Sequence, residues 1–292
     1  MGPHAPTPEP AAAPFPRPSR RRGGRVAALT LGLTLAGPAA AQDGAPPPRV
    51  ASAVRGLRFV PLAELPRAPG GAGRRAGCPG EVVPAQSEAA RAVAARDWFL
   101  LGEAALGRYR AVGFASDLQQ GPSGTCFVAD GNVGLFDGAR LVALVYGAGR
   151  TGAVGRIAAR AGGVRLWDGD LPPSPVGDLT VRADGVLSLE PPAKVESVCG
   201  GRGSIPAIRG RPIDEARTAL IAAGWTPVKG APSGDARERD LARRGVTEVD
   251  GCSGTGLAYC SFRYAGAAGT LSVTTTGDGD LPEVHEYGVT CR

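Results

Sequence analysis

Six cysteines, Cys78, Cys126, Cys199, Cys252, Cys260 and Cys291, all lie downstream of a segment built like an export signal, and this constrains the fold more than any other feature. The eleven residues from Val26 to Ala36 are apolar or small, follow the basic cluster Arg20, Arg21, Arg22 and Arg25, and precede the triplet Ala39-Ala-Ala41. Such a stretch is too short to cross a bilayer, which takes about twenty residues, and the small-residue triplet predicts cleavage after Ala41. Residues 1–41 are therefore read as a signal peptide, and the working chain is expected to be periplasmic or secreted. In an oxidising compartment an even number of cysteines reads as a disulfide framework.

Fifteen pairings are open to six cysteines. Cys252 and Cys260 flank a Gly-rich turn between strand-like runs, so a bridge there closes a hairpin. Cys199 opens the C-terminal module and Cys291 ends it, which leaves Cys78 for Cys126. The expected bridges are thus Cys78–Cys126, Cys199–Cys291 and Cys252–Cys260, all structural. Zinc binding asks for close Cys pairs or Cys with His, but no Cys-x-x-Cys occurs and His285 alone remains after processing. No metal and no other cofactor is expected. No cysteine follows the cleavage point, so no lipid anchor on the membrane is expected either.

Loss of the signal also changes the charge. The full chain carries +6, but five Arg and one Glu leave with residues 1–41, so 28 basic residues face 26 acidic ones afterwards. A nucleic-acid partner, which would need a basic face, is not expected. The preference for Arg over Lys, with only Lys194 and Lys229 present, reads as coding bias.

Residues 42–80, rich in Pro, Gly, Ala and Arg, read as a disordered tether, with one possible edge strand over 57–62. Residues 81–197 read as an all-β domain, an antiparallel sandwich or small barrel. Its apolar runs, at 98–101, 110–114, 125–129, 133–136, 141–146, 154–158, 164–167, 178–181 and 186–189, are divided by turn residues. Asp130-Gly131 and Asp137-Gly138 read as hairpin turns, and a short helix capped by Ser87 is expected before the first run. Residues 198–292 read as a small α+β module. A helix carries Pro212 in its first turn and stops at Gly224; a second spans 235–244, followed by strands over 247–252, 257–264, 270–276 and 284–290. The overall class is mainly β plus α+β.

The motif Ile205-Pro-Ala-Ile-Arg-Gly210, with Ala216, Leu220 and Gly224-Trp225 after it, resembles the opening half of a PASTA domain, the envelope module of bacterial cell-wall kinases and penicillin-binding proteins. The resemblance covers residues 205–228 and implies binding of peptidoglycan fragments. The Pro-x-x-Gly hairpin of that family's second half is replaced by the 235–244 helix and the Cys252–Cys260 turn. The module's layout also resembles small exported bacterial envelope proteins that act as hydrolase inhibitors or assembly factors.

Other motifs read as structure. Gly147-Ala-Gly-Arg-Thr-Gly152 has dinucleotide-loop spacing, but with 45 Gly in 292 residues chance supplies about one such match. Ser123 and Ser253 lack a nucleophile-elbow context, and His285, the single base left, lies in a strand-like run. Asp168-Gly-Asp170-Leu-Pro172 recurs as Asp278-Gly-Asp280-Leu-Pro282; both read as turns, although Asp168 and Asp170 would be the carboxylates of an envelope hydrolase. Trp98, Trp167 and Trp225 stand at element ends, and Trp225 is the expected ligand contact, in a groove between helix and sheet. The sequence favours a non-catalytic envelope protein that binds another protein or peptidoglycan, with a hydrolase or a structural accessory subunit as alternatives.

Overall fold

The computed structural model describes residues 46–71, 73, 76–121, 125–147, 153–231, 233–254 and 256–292; the expected signal segment lies outside them. β-strands far outweigh helices in the described chain, and every strand pairing except that of β1 with β10 is antiparallel.

Two five-stranded sheets form a sandwich. One has the order β1 (Val50–Ser52), β10 (Leu187–Glu190), β9 (Pro175–Val181), β8 (Gly163–Asp168), β7 (Val154–Arg160). The other runs β2 (Leu57–Pro61), β6 (Arg140–Gly147), β5 (Cys126–Asp137), β4 (Tyr109–Gln120), β3 (Phe99–Leu106). Ala111, Val133, Leu135 and Val145 of the second sheet meet Val154, Val164, Leu166, Leu179 and Leu189 of the first in one core. The other face of the second sheet is covered as well. Helix α1 (Glu88–Ala94), with Ser87 accepting the Ala90 amide as its cap, lays Ala89, Ala90 and Val93 on Val112, Phe114 and Phe136. That double burial explains why β4 reads as a continuous apolar run and not as an alternating one.

Two expectations are corrected here. Residues 42–80 do not form a disordered tether over their described part: β1 pairs in parallel with β10, and β2 pairs with β6 at the sheet edge, burying Phe59. Pro61 ends β2, as a residue without an N–H can do at an edge. Nor is Asp130-Gly131 a hairpin turn. β5 passes straight through it, because Gly131 serves close approach: a Cβ there would meet the Val154 carbonyl at 1.6 Å. A Cβ on Gly113 would likewise lie 1.8 Å from the Gly155 oxygen, so the backbone of β7 presses directly on β4 and β5. Asp137-Gly138 does turn a hairpin, with Gly138 at φ +62°.

The C-terminal module starts with the hairpin of β11 (Val195–Val198) and β12 (Gly203–Pro206), slightly before the expected boundary. Its main sheet has the order β13 (Thr226–Pro227), β15 (Cys260–Gly266), β16 (Gly269–Thr276), β17 (Glu283–Cys291), with β14 (Val249–Cys252) also on β15. Helices α2 (Ile213–Ala222) and α3 (Ala236–Arg243) share a core with this sheet, built from Ile213, Ala216, Leu220 and Leu241 on Phe262, Leu271 and Val273. Asp235 and Glu238 form a capping box on α3, and the buried Glu238 carboxylate also accepts the Cys252 amide at 2.9 Å.

Disulfides join Cys78 to Cys126, Cys199 to Cys291 and Cys252 to Cys260, closing 48, 92 and 8 positions of chain. By loop entropy the two longer closures contribute about 4 to 5 kcal/mol each and the hairpin about 2.5 kcal/mol. Among the described residues no helix is long and apolar enough to cross a membrane.

The β7 crossing supplies a direct test. Gly131→Ala should destabilise the protein by about 3 kcal/mol or more, as overpacking against rigid backbone does, read as a fall in the denaturation midpoint. Gly162→Ala, where no atom lies within 4 Å but φ is +78°, should cost about 1 kcal/mol.

Candidate functional site

Where the sandwich meets the C-terminal module, an open recess of about 210 Å³ is lined by Arg156, Ile157, Trp167, Pro173, His285 and Glu286. Each of its main polar or aromatic walls stands at a break in strand register. On β7 the extra residue is Gly155, at φ +153°, next to Arg156. On β9 the extra residue is Val176, opposite the step from Leu166 to Trp167. On β17 it is His285 itself, which has no partner in the ladder because Thr275 pairs with Val284 and Thr274 with Glu286. A bulge bends a strand and re-aims side chains beside it, so the three breaks gather Arg156 and Trp167, which pair with each other across β7 and β8, and the unpaired His285 around one place.

A polar seam holds the two sides of the recess together. Arg165, buried, donates from Nε and Nη2 to the Asp178 carboxylate at 2.8 and 3.0 Å, and from Nη1 to Glu196 of β11 at 2.6 Å. Arg160 joins the same Asp178. Burial works against the Arg165 charge, but the bonds to Asp178 and Glu196 outweigh it and hold the guanidinium above its ordinary value. Arg209 then lies between two rings, 5.0 Å from Trp167 of the sandwich and 4.4 Å from Tyr287 of β17. Its Nη1 donates to the His285 carbonyl at 2.5 Å.

Two guanidinium nitrogens at this seam, Arg156 Nη1 and Arg209 Nε, are the buried side-chain polar atoms without a hydrogen-bond partner among the described residues. Arg156 spends its other donors on the Cys126 carbonyl at 2.5 Å and on Glu81 at 3.4 Å. A buried donor left unpaired costs about 1 to 3 kcal/mol, so an incoming acceptor would recover that loss. Burial holds the His285 imidazole below its ordinary value; Arg209 adds to this and Glu286 opposes it. At neutral pH the ring is an uncharged donor and acceptor.

Of the residues singled out from sequence, His285 and Trp167 line the recess and the others fall elsewhere. Trp225 is not at a groove: it is 2 % exposed, its Nε1 donates to the Ser204 carbonyl at 2.8 Å, and its ring fills the space beside Gly203 and Gly266. The indole is a core wedge of the module, with no open face for a ligand. Asp168 organises a turn, its Oδ1 accepting the Ser174 and Asp170 amides at 2.8 and 3.3 Å. Burial raises its carboxyl above the ordinary value. Asp280 is exposed and pairs with Arg244 at 2.8 Å. Ser123 and residues 148–152 of the Gly-rich motif lie outside the described residues. Among those described, no group of three or more His, Cys, Asp or Glu is placed to hold a metal ion.

Arg156 and Arg209 were not legible as site residues, and Trp167 reads only as an aromatic residue at an element end. What brings Arg156 and Trp167 to His285 is the bulge, which breaks pairing without breaking the apolar pattern, and the meeting of residues about 130 positions apart in the chain. No protein-family model, no curated protein and no solved structure matches this chain.

The imidazole offers a measurement. Because its folded pKa lies below the unfolded one, the unfolded chain takes up the proton first, and stability falls as pH drops through and below about 6.5. Proton NMR should place the His285 titration below that of a free imidazole, and His285→Gln should flatten the stability profile over the same pH interval.

Proposed function

We propose that the protein is an exported, disulfide-bonded binding protein of the bacterial envelope, and that the recess between sandwich and C-terminal module engages peptidoglycan fragments. The observation that carries this reading is the convergence of three register breaks on one concavity furnished with a guanidinium, an indole and a neutral imidazole. An aromatic wall beside a few fixed polar groups is the ordinary make-up of a small-ligand site. The volume suits one sugar ring or one terminal residue and not a whole glycan strand, so the wall polymer would be touched at a protruding group.

Three disulfides support the export part of the reading, since such bonds persist in oxidising compartments. In the segment 205–228 that resembles half of a PASTA domain, Ile205, Ala216, Leu220 and Trp225 pack in the module's core, and Arg209 reaches out to Trp167.

Co-sedimentation tests the assignment. The processed chain should pellet with purified sacculi and be released by soluble muropeptides, whereas Trp167→Ala, with its circular dichroism unchanged, should stay in the supernatant. A chain that ignores sacculi but is captured by one envelope protein would sink the peptidoglycan reading.

A further inference from the structure

We infer that the recess selects a carboxylate carried on a ring or apolar body, with Arg156 as the anion-binding group, Trp167 as the platform and Arg209 stacked on that platform to hold it; this rests on the recess being the binding site proposed above. The chemistry of the walls narrows the ligand in three steps.

Of the two unpaired donors, the guanidinium N–H of Arg156 Nη1 belongs to a residue that lines the recess, while Arg209 Nε belongs to the guanidinium stacked between the Trp167 and Tyr287 rings. A guanidinium pairs best with a planar oxyanion, through charge-assisted bonds that a neutral acceptor does not match. The ligand group is therefore anionic.

The surroundings limit its charge. Arg156 is already shared with Glu81, Arg165 is spoken for by Asp178 and Glu196, and Glu286 stands on the rim. Glu81 and Glu286 already offset the nearby guanidinium charges, so every further negative charge on the ligand is opposed, and a monoanion meets about half the repulsion of a dianionic phosphate. His285, uncharged at neutral pH, contributes a hydrogen bond and no further cation. A carboxylate fits that balance.

Ile157, Pro173 and the free part of the Trp167 ring form the remaining wall. They fit the body behind the carboxylate, a sugar ring or a small side chain, which excludes water from the ion pair as it packs. In peptidoglycan the group has two sources, the lactyl carboxylate of the muramyl sugar and the terminal carboxylates of the stem peptide.

Calorimetry and Trp fluorescence on the full processed chain decide it. Muropeptides with free carboxylates should bind and change the Trp167 emission, and amidation of those carboxylates should weaken binding about tenfold or more. N-acetylmuramic acid and the isolated stem peptide, run separately, show which carboxylate is read. Arg156→Gln should reduce the preference for free over amidated ligand to near unity, and the wild-type comparison stands by itself if that variant unfolds. Equal binding of free and amidated muropeptides would overturn the inference while leaving retention on sacculi intact. Inorganic phosphate competing as well as N-acetylmuramic acid would overturn it also, marking a general anion site.

Discussion

The contact on which the rest depends is backbone against backbone, where β7 crosses β4 and β5. Gly113 and Gly131 allow the carbonyls of Gly155 and Val154 to come closer than any Cβ permits. The two sheets can then share Val133 and Leu135 with Val164 and with Val154 of the crossing strand itself in one core. The same closeness gives the register break a role: Gly155 is the extra residue, at φ +153°, and Arg156, back in register opposite Trp167, sends its guanidinium to the Cys126 carbonyl. Local backbone sterics thus place a charged side chain beside the seam.

The seam itself is ionic and aromatic where most domain contacts within a chain are apolar or wet. Arg165 answers to Asp178 on its own sheet and to Glu196 of the C-terminal module, so each lobe holds one half of its compensation. Removing either carboxylate would leave charge buried without its full complement, which is the costly way to break such a network. Arg209 adds a second tie that involves no ion pair, stacked between Trp167 and Tyr287. Together the two arginines fix the distance across which the recess opens. The Cys199–Cys291 bond anchors the module's first hairpin to the end of β17, the strand that carries His285 and Tyr287.

What was legible in the sequence was what obeys a period or a local stop. Pro212 and Gly224 bound α2, Asp235 and Gly245 bound α3, Ser87 caps α1, and the alternating run after Glu283 is a strand. Asp130-Gly131 misled because the pair that favours a hairpin also satisfies a crossing: Asp130 takes φ +49° within a continuous strand, and Gly131 makes room for a third strand unseen from the local sequence. The 42–80 segment misled because its Pro and Gly content masks two short strands held only by long-range partners, Leu187 for Val50 and Val145 for Phe59. Trp225 misled for a different reason. An aromatic residue after a helix stop is placed equally well for a groove or for a core, and the small residues at Gly203 and Gly266 decide for the core.

Disulfide and site are linked through one carbonyl. Cys126 bonds Cys78 and, through its oxygen, accepts Arg156 Nη2, while Glu81, which follows Cys78 closely in the chain, holds Arg156 Nε. The bond therefore does more than shorten the unfolded chain. It fixes the loop that carries Glu81 and the start of β5 that carries the Cys126 carbonyl, and both are partners of the same guanidinium. If the bridge opens, Arg156 loses two constraints at once and gains rotamer freedom, which a ligand would then have to remove on binding. Oxidation of this cysteine pair therefore bears on the setting of Arg156 as well as on stability.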